Sequence, residues 1–320
     1  MQELSISEKP LDSFNPRMME DALSESSLTH TQIGKGHFVG ELLRANFSQS
    51  VFDSGKYNLP LLAFGDMPED LVTLGFILDA DGEGTLNGCT IKSGSAVVFS
   101  ENMEMHYRLA PGTHWVALLL RRDLLEKHDI DLPASSAAVL NSERPAALSL
   151  RCTFKQAHQL LHQSSSEERL VLDAGKLAIS LQESILADYC LNLESVQIST
   201  AFKKHQAVRI VRTIADYFQS HYSEPVQIQS ICAIASVSWR TVERAFMRVY
   251  GVSPKSFLTG IRLSQSRKQL LSRRQATIGQ IALDCGFFHM GRFSQEYFSL
   301  YGELPSKTKG QGAHAFGLCD

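Results

Sequence analysis

Long apolar runs are missing from this sequence. Its longest aliphatic stretches, such as WVALLL at 115–120, fall far short of the roughly 20 residues that a membrane-spanning helix needs. No membrane association is expected. The opening residues, MQELSISEKPLDSF, hold acids and serines and no basic segment leading into an apolar one, so a secretory leader is not expected and a cytoplasmic protein is. Cysteine is sparse: Cys89, Cys152, Cys190, Cys232, Cys285 and Cys319 stand apart, with no CxxC pair. Reduced thiols acting as small core residues are expected, the alternative being a redox role at Cys319 or Cys152.

Catalytic and metal-binding patterns are equally scarce. GKGHFVG lacks the GxxxxGK[ST] spacing of a phosphate loop. DADGEGTLNG has no distal bidentate Glu for calcium and reads as a hairpin turn. His37, Glu104, His106 and His114 are the types that hold a metal in a cupin-like barrel, but no HxH pair stands among them. No Ser-His-Asp or Cys-His arrangement follows from residue order. The expectation is therefore no metal, no cofactor, no catalytic residue and no enzyme.

What is present is the composition of a folded chain with room for two domains, 43% hydrophobic and 20% charged over 320 residues. The net charge of −3 hides an asymmetry: His205–Lys309 carries 14 Lys and Arg against 6 Asp and Glu, leaving 17 against 28 elsewhere. A basic third attached to an acidic remainder is the electrostatic pattern of a nucleic-acid binder. Between residues 36 and 120, short runs rich in β-branched and aromatic residues alternate with turns such as DADGEG, KSG and APGT. These predict antiparallel strands in a barrel or sandwich. After Arg121 the texture turns helical, and Leu170, Ala174, Leu177, Leu181 and Ile185 form one stripe. That stripe packs on its own barrel or on a second subunit, which makes 167–190 the candidate dimerisation segment. The expected layout is an arm over 1–35, a strand-rich regulatory domain over 36–193, a linker over 194–206, an all-helical domain over 207–308 and a tail over 309–320. The fold class is α+β.

The basic third carries the specific signal. VQIQSICAIASVSWRTVERAFMRVYG reads as helix, short turn, helix. SPKSFLTGIRLSQSRKQLLSR predicts one long helix, and TIGQIALDCGFFHMGRFSQEYFSLYGELP repeats the first pattern. Ile228, Ile231, Cys232 and Ala235 are expected to face Val242, Ala245, Phe246 and Val249, with Gly286 turning the second motif and Phe293 and Tyr297 behind its second helix. A linking helix over 254–272 rises ~28 Å at 1.5 Å per residue, near the ~34 Å repeat of DNA.

The stretches IASVSWRTVERAFMRVYGVSPKSFLTGIRLSQSRKQLL and IGQIALDCGFFHMGRFSQEYFSLYGELPS resemble the double helix-turn-helix domain of AraC/XylS-type transcription regulators. The second is particularly similar to the ethanolamine-operon regulator subgroup. The resemblance implies that Arg240, Glu243 and Arg244 read bases from the first motif, and their i, i+3, i+4 spacing independently puts them on one helix face. Met290, Gly291 and Gln295 occupy the corresponding region of the second motif. Trp239, Arg248, Arg262, Arg267, Lys268, Arg273, Arg274, His289 and Arg292 are candidates for the DNA backbone.

The resulting expectation is a sequence-specific regulator of transcription, an activator and homodimer, whose partners are double-stranded promoter DNA, RNA polymerase and a small-molecule effector. Arg44, Tyr57, His106, Tyr107 and Trp115 are the candidate effector residues. The alternative is an enzymatic or ligand-binding barrel with a basic localising domain.

Overall fold

The computed structural model describes residues 5–23, 25–47, 49–127, 132, 137–141, 145–165, 180–189 and 206–314. Seven strands form one antiparallel sheet, in the order β1 (Ser5–Leu11), β3 (Gly40–Asn46), β4 (Ser50–Tyr57), β11 (Thr113–Leu120), β6 (Val72–Asp79), β9 (Ser95–Phe99) and β12 (Ala137–Asn141). Five form a second: β2 (Thr29–Gln32), β5 (Leu61–Asp66), β10 (Glu104–Arg108), β7 (Gly84–Leu86) and β8 (Cys89–Ile91).

Strand alternation assigns every side chain to a layer. In β4 and β11, Tyr57 and Trp115 point between the sheets, while Phe52, Val116, Leu118 and Leu120 point outward. The outer face is covered by α3 (Pro145–Ser165) and the helical residues 180–189 (α4), through Phe154, Leu161, Leu181, Ile185 and Tyr189. The second sheet is also two-sided. Leu61, Ala63 and Tyr107 face the first sheet, whereas Leu62 and Phe64 join the core of the helical domain. The molecule is thus layered as helices, sheet, sheet and helical domain.

That last domain comprises α5 (Gln206–His221), α6 (Ile228–Ala235), α7 (Trp239–Tyr250), α8 (Pro254–Ser272), α9 (Ile278–Asp284), α10 (Met290–Tyr301) and α11 (Pro305–His314). Its helix ends are chemically marked. Ser238, Ser253 and Thr277 cap α7, α8 and α9 by accepting from the backbone N–H three residues on. Gly251 and Gly302 close α7 and α10 in the left-handed region, with φ of 66° and 70°. In α7 the stripe Val242, Ala245, Phe246, Val249 and Tyr250 is buried. Phe246 and Tyr250 meet Phe257 of α8 at ring separations of 5.2 and 4.8 Å.

Several expectations need correction. The arm over 1–35 holds β1 and β2, each a strand of one of the sheets, and the short helix α1 (Pro16–Ala22), which packs against β2 and α8. Residues 137–141, read as part of a helical region, pair with β9 as an edge strand. Ile228 is half exposed rather than core, because α6 begins there; Ile231 is buried and Ala235 packs partly buried against the same core. The tail begins as helix, since α11 continues to His314. The linker, apart from Gln206, and residues 167–179 and 190 of the dimerisation segment lie outside the described residues; Leu181 and Ile185 of its stripe are buried against the first sheet. Among the described residues, no helix is long and apolar enough to cross a membrane.

Candidate nucleic-acid interface and barrel cavity

Two helix-turn-helix units present their second helices with the N-terminal turns free. In the first, Ser236 makes the turn in the left-handed region, φ 52°, and Ser238 then caps α7. Arg240, Glu243, Arg244 and Arg248 are exposed on the face opposite the buried stripe. Among the described residues, Arg240, Glu243 and Arg244 take part in no ion pair or side-chain hydrogen bond, so their donors and acceptors are available to a partner. Arg248 leans toward the β7–β8 hairpin, where its charge acts on the Cys89 thiol. Trp239 is half-buried against the core of the first motif and helps seat α7.

In the second unit Gly286 turns at φ 79°, and a Cβ there would stand 2.6 Å from the Tyr222 carbonyl oxygen. Glycine is required. Phe293, Tyr297 and Tyr301 form the buried back of α10. Its front carries His289, Met290, Gly291, Arg292 and Gln295, all exposed, with Arg292 paired to Glu296 at 2.8 Å. Phe288, absent from the sequence-based candidates, is 58% exposed immediately before this helix. Its signal was available: two phenylalanines follow Gly286, and the motif's core has room for one, Phe287.

The backbone candidates divide. Arg273 and Arg274 are exposed at the end of α8, Arg273 bonding Asp284 at 2.6 Å. Arg262 is instead half-buried and donates to the carbonyls of Tyr222 and Glu224, both at 2.7 Å, fastening the end of α5. Lys268 reaches across to Glu20 at 2.6 Å. Arg267 is 1% exposed and cannot meet a phosphate. It pairs with Glu303 at 2.9 Å, donates to the Phe14 carbonyl and the Tyr297 hydroxyl, and lies 4.6 Å from the Tyr301 ring centre. Its role is to join α8, α10 and the N-terminal segment.

A second feature lies between the sheets. A cavity of about 110 Å³ is walled chiefly by apolar side chains, Met67, Ile77, Val97, Phe99, Met105 and Leu109 among them. Of the effector candidates, Tyr107 and Trp115 line it. Arg44 sits behind it, pairing with Asp53, which does line it, at 3.6 Å. Tyr57 is fully buried beside Trp115, both crowding Gly55, where a Cβ would be 2.6 Å from the Tyr57 hydroxyl and Trp115 Nε1. His106 points the opposite way, because it neighbours Tyr107 on β10. Its Nδ1 shares a 2.5 Å hydrogen bond with the Tyr250 hydroxyl and its Nε2 one of 2.5 Å with Glu104. His106 and His114 are not brought to one point: His106 meets Glu104 and Tyr250, whereas His114 lies on the outer sheet face against His158.

Burial governs the charge states here. It pushes the Asp53 carboxyl up to about 7, only partly offset by Arg44. It lowers His30 to about 4, only partly offset by the backbone of Leu28. His30 Nε2 therefore meets the Tyr107 hydroxyl, at 2.7 Å, as a neutral ring.

Paired helix-turn-helix units, one exposed arginine-bearing reading helix and a basic surface define a DNA-binding domain. Residues 231–311 match the family model described as "Helix-turn-helix domain". The chain is 30% identical over 151 residues to the "Probable thc operon regulatory protein" of Rhodococcus erythropolis, covering 46% of this chain and 45% of that protein. It is 31% identical over 97 residues to the "XylDLEGF operon transcriptional activator" of Pseudomonas putida, 30% of each. The matches thus span less than half of these relatives. A solved transcriptional regulator of Chromobacterium violaceum, titled as containing an AraC-type DNA-binding domain, is 26% identical over 33% of this chain and 94% of that one, with a TM-score of 0.32. Residues 231–311 of this chain are a helix-turn-helix domain.

Proposed function

We propose that the protein is a sequence-specific transcription regulator, an activator working in the cytoplasm, with a strand-rich regulatory domain over 36–193 and a DNA-binding domain over 207–308. The carrying observation is the pair of reading helices α7 and α10, each with an exposed N-terminal turn, joined by the 19-residue α8. Two successive major-groove segments on one face of promoter DNA are the natural substrate of that spacing. RNA polymerase is engaged from the face left free by the DNA, and a homodimer forms through the helical layer, where α3 leaves Leu148 and Leu160 exposed.

The barrel domain regulates through the second sheet, which is one strand thick between the cavity and the reading helices. Thr85 and His106 face α7 from the same two strands whose Leu86 and Tyr107 face the cavity. A small-molecule effector in that cavity would press directly on the sheet that holds α7. The test is a mobility-shift titration against genomic fragments: a selected fragment is expected to survive excess competitor DNA at moderate salt. Absence of any preference would refute the regulator reading and favour a ligand-binding barrel with a basic localising domain.

A further inference from the structure

The polar end of the cavity is electrically incomplete. Asp53, 4% exposed, stands with Oδ1 3.6 Å from Arg44 Nε, near enough for an ion pair but beyond hydrogen-bond reach, and among the described residues no other donor satisfies that oxygen. Thr73 Oγ1, also lining the cavity, is likewise buried and unpartnered. Arg44 is the shared counter-ion of two carboxylates: it also bonds Glu25, at the rim of the same cavity, and donates to the Ala22 carbonyl at 2.9 Å. One guanidinium serves both carboxylates, so Asp53 when ionised lacks a full counter-charge of its own. Native interiors seldom leave buried acceptors unpaired, and burial of an unbalanced carboxylate is costly.

The remaining walls are apolar, and the volume sets a size. An apolar cavity of about 150 Å³ accommodates benzene, so about 110 Å³ suits a smaller body such as a short branched chain. We propose that this cavity binds a small molecule with a compact apolar body and one positively charged, hydrogen-bond-donating head group, an ammonium seated on Asp53 and Thr73. A carboxylate-headed ligand would add a third anion beside Asp53 and Glu25. An alcohol of the same shape could donate one hydrogen bond but would leave the charge uncompensated. The indole of Trp115 in the lining adds an electron-rich surface of the kind that attracts cations. This assignment rests on reading the barrel as the regulatory half of the protein.

The experiment uses the full chain and three compounds of nearly equal size: isobutylamine, isobutanol and isobutyrate. By calorimetric titration, isobutylamine should bind at least tenfold more tightly than isobutanol, and isobutyrate should give no binding heat. Asp53→Asn should erase the preference for amine over alcohol. The near-isosteric Thr73→Val should weaken isobutylamine about fivefold, the loss of one hydrogen bond. Equal or tighter binding of the alcohol or the acid, no binding of any of the three, or an amine preference that survives Asp53→Asn would each overturn the proposal, as would an unchanged isobutylamine affinity in Thr73→Val. The wild-type series decides the matter alone should a variant misfold. Selective DNA binding without isobutylamine binding would refute the ligand assignment and leave the regulator reading; isobutylamine binding without selective DNA binding would do the reverse.

Discussion

Replacing Arg267 by alanine separates a structural arginine from a phosphate-binding one. The guanidinium is 1% exposed and its partner Glu303 5%. Burial pushes the Glu303 carboxyl up, but the Thr308 hydroxyl and Arg267 together more than offset this and hold it below its ordinary range. Removing one member of a buried ion pair costs ~3–5 kcal/mol, since the other charge is left behind. Thr308 still donates to Glu303 at 2.7 Å and Lys307 approaches its other oxygen at 3.6 Å, so the lower end, about 3 kcal/mol, is expected. Adding Glu303→Gln removes the stranded charge and should recover part of that loss. Urea unfolding of wild type, Arg267→Ala and the double variant measures both effects. In parallel, DNA affinity measured across a salt series should keep its slope. A lost phosphate contact would flatten it by about 0.9 per contact. A flatter slope with an unchanged urea midpoint would refute the burial argument and restore Arg267 to the DNA surface.

Arg244→Ala should reduce discrimination between the selected operator and single-base variants by about 1–3 kcal/mol at one position, measured by competition; a uniform loss across all sequences would mean a backbone contact. Phe288→Ala should reduce the penalty for replacing thymine by uracil in the second half-site, because the exposed ring and Met290 can each read the methyl group there; an undiminished penalty would place the methyl reader elsewhere. Tyr250→Phe should cost about 1–3 kcal/mol by leaving buried His106 without its hydroxyl partner, read as a lowered thermal midpoint, and no change would mean that the contact contributes nothing. Asp53 has its folded pKa raised to about 7 from an ordinary 3.8, so its protonated form is favoured by folding and wild-type stability falls as pH rises toward 7. Asp53→Asn lacks that loss and should gain on wild type by about 3 kcal/mol between pH 5 and pH 8, at 1.36 kcal/mol per unit. A stability difference independent of pH would show that the carboxyl titrates normally.

The helical domain was legible because its signals are local. Ser238, Ser253-Pro254 and Thr277 announce helix starts, Gly251, Gly286 and Gly302 announce turns, and the expected 254–272 helix is the one observed. The fate of the arginines was not local. Whether Arg267 meets solvent depends on Glu303 and Phe14, 36 and 253 residues away, and on a domain packed over a helix that is buried on more than one side. One error was avoidable: His106 and Tyr107 are adjacent in a strand, and the period of two forbids both from facing one pocket. Asp53 was missed because a carboxylate in an alternating strand looks like a solvent-facing residue until the identity of the buried face is known.

The strand-rich domain touches both α7 and α10 at the same end. At the C-terminus of α7, Val249 accepts from Thr85 and Tyr250 meets His106. At the C-terminus of α10, the Leu300 carbonyl accepts from Gln32 Nε2 at 2.8 Å and from Gly36 N–H at 3.0 Å, and Tyr301 stacks on Phe14. The opposite ends, with Arg240, Arg244, Phe288 and Met290, stay exposed. A domain that grips two levers by their bases can alter the distance between their tips without covering either. Because affinity for two groove segments depends on both helices fitting one DNA repeat, a small shift of the second sheet would change binding more through spacing than through any single contact. Control by alignment, rather than by blocking the DNA surface, is the form of regulation that this arrangement favours.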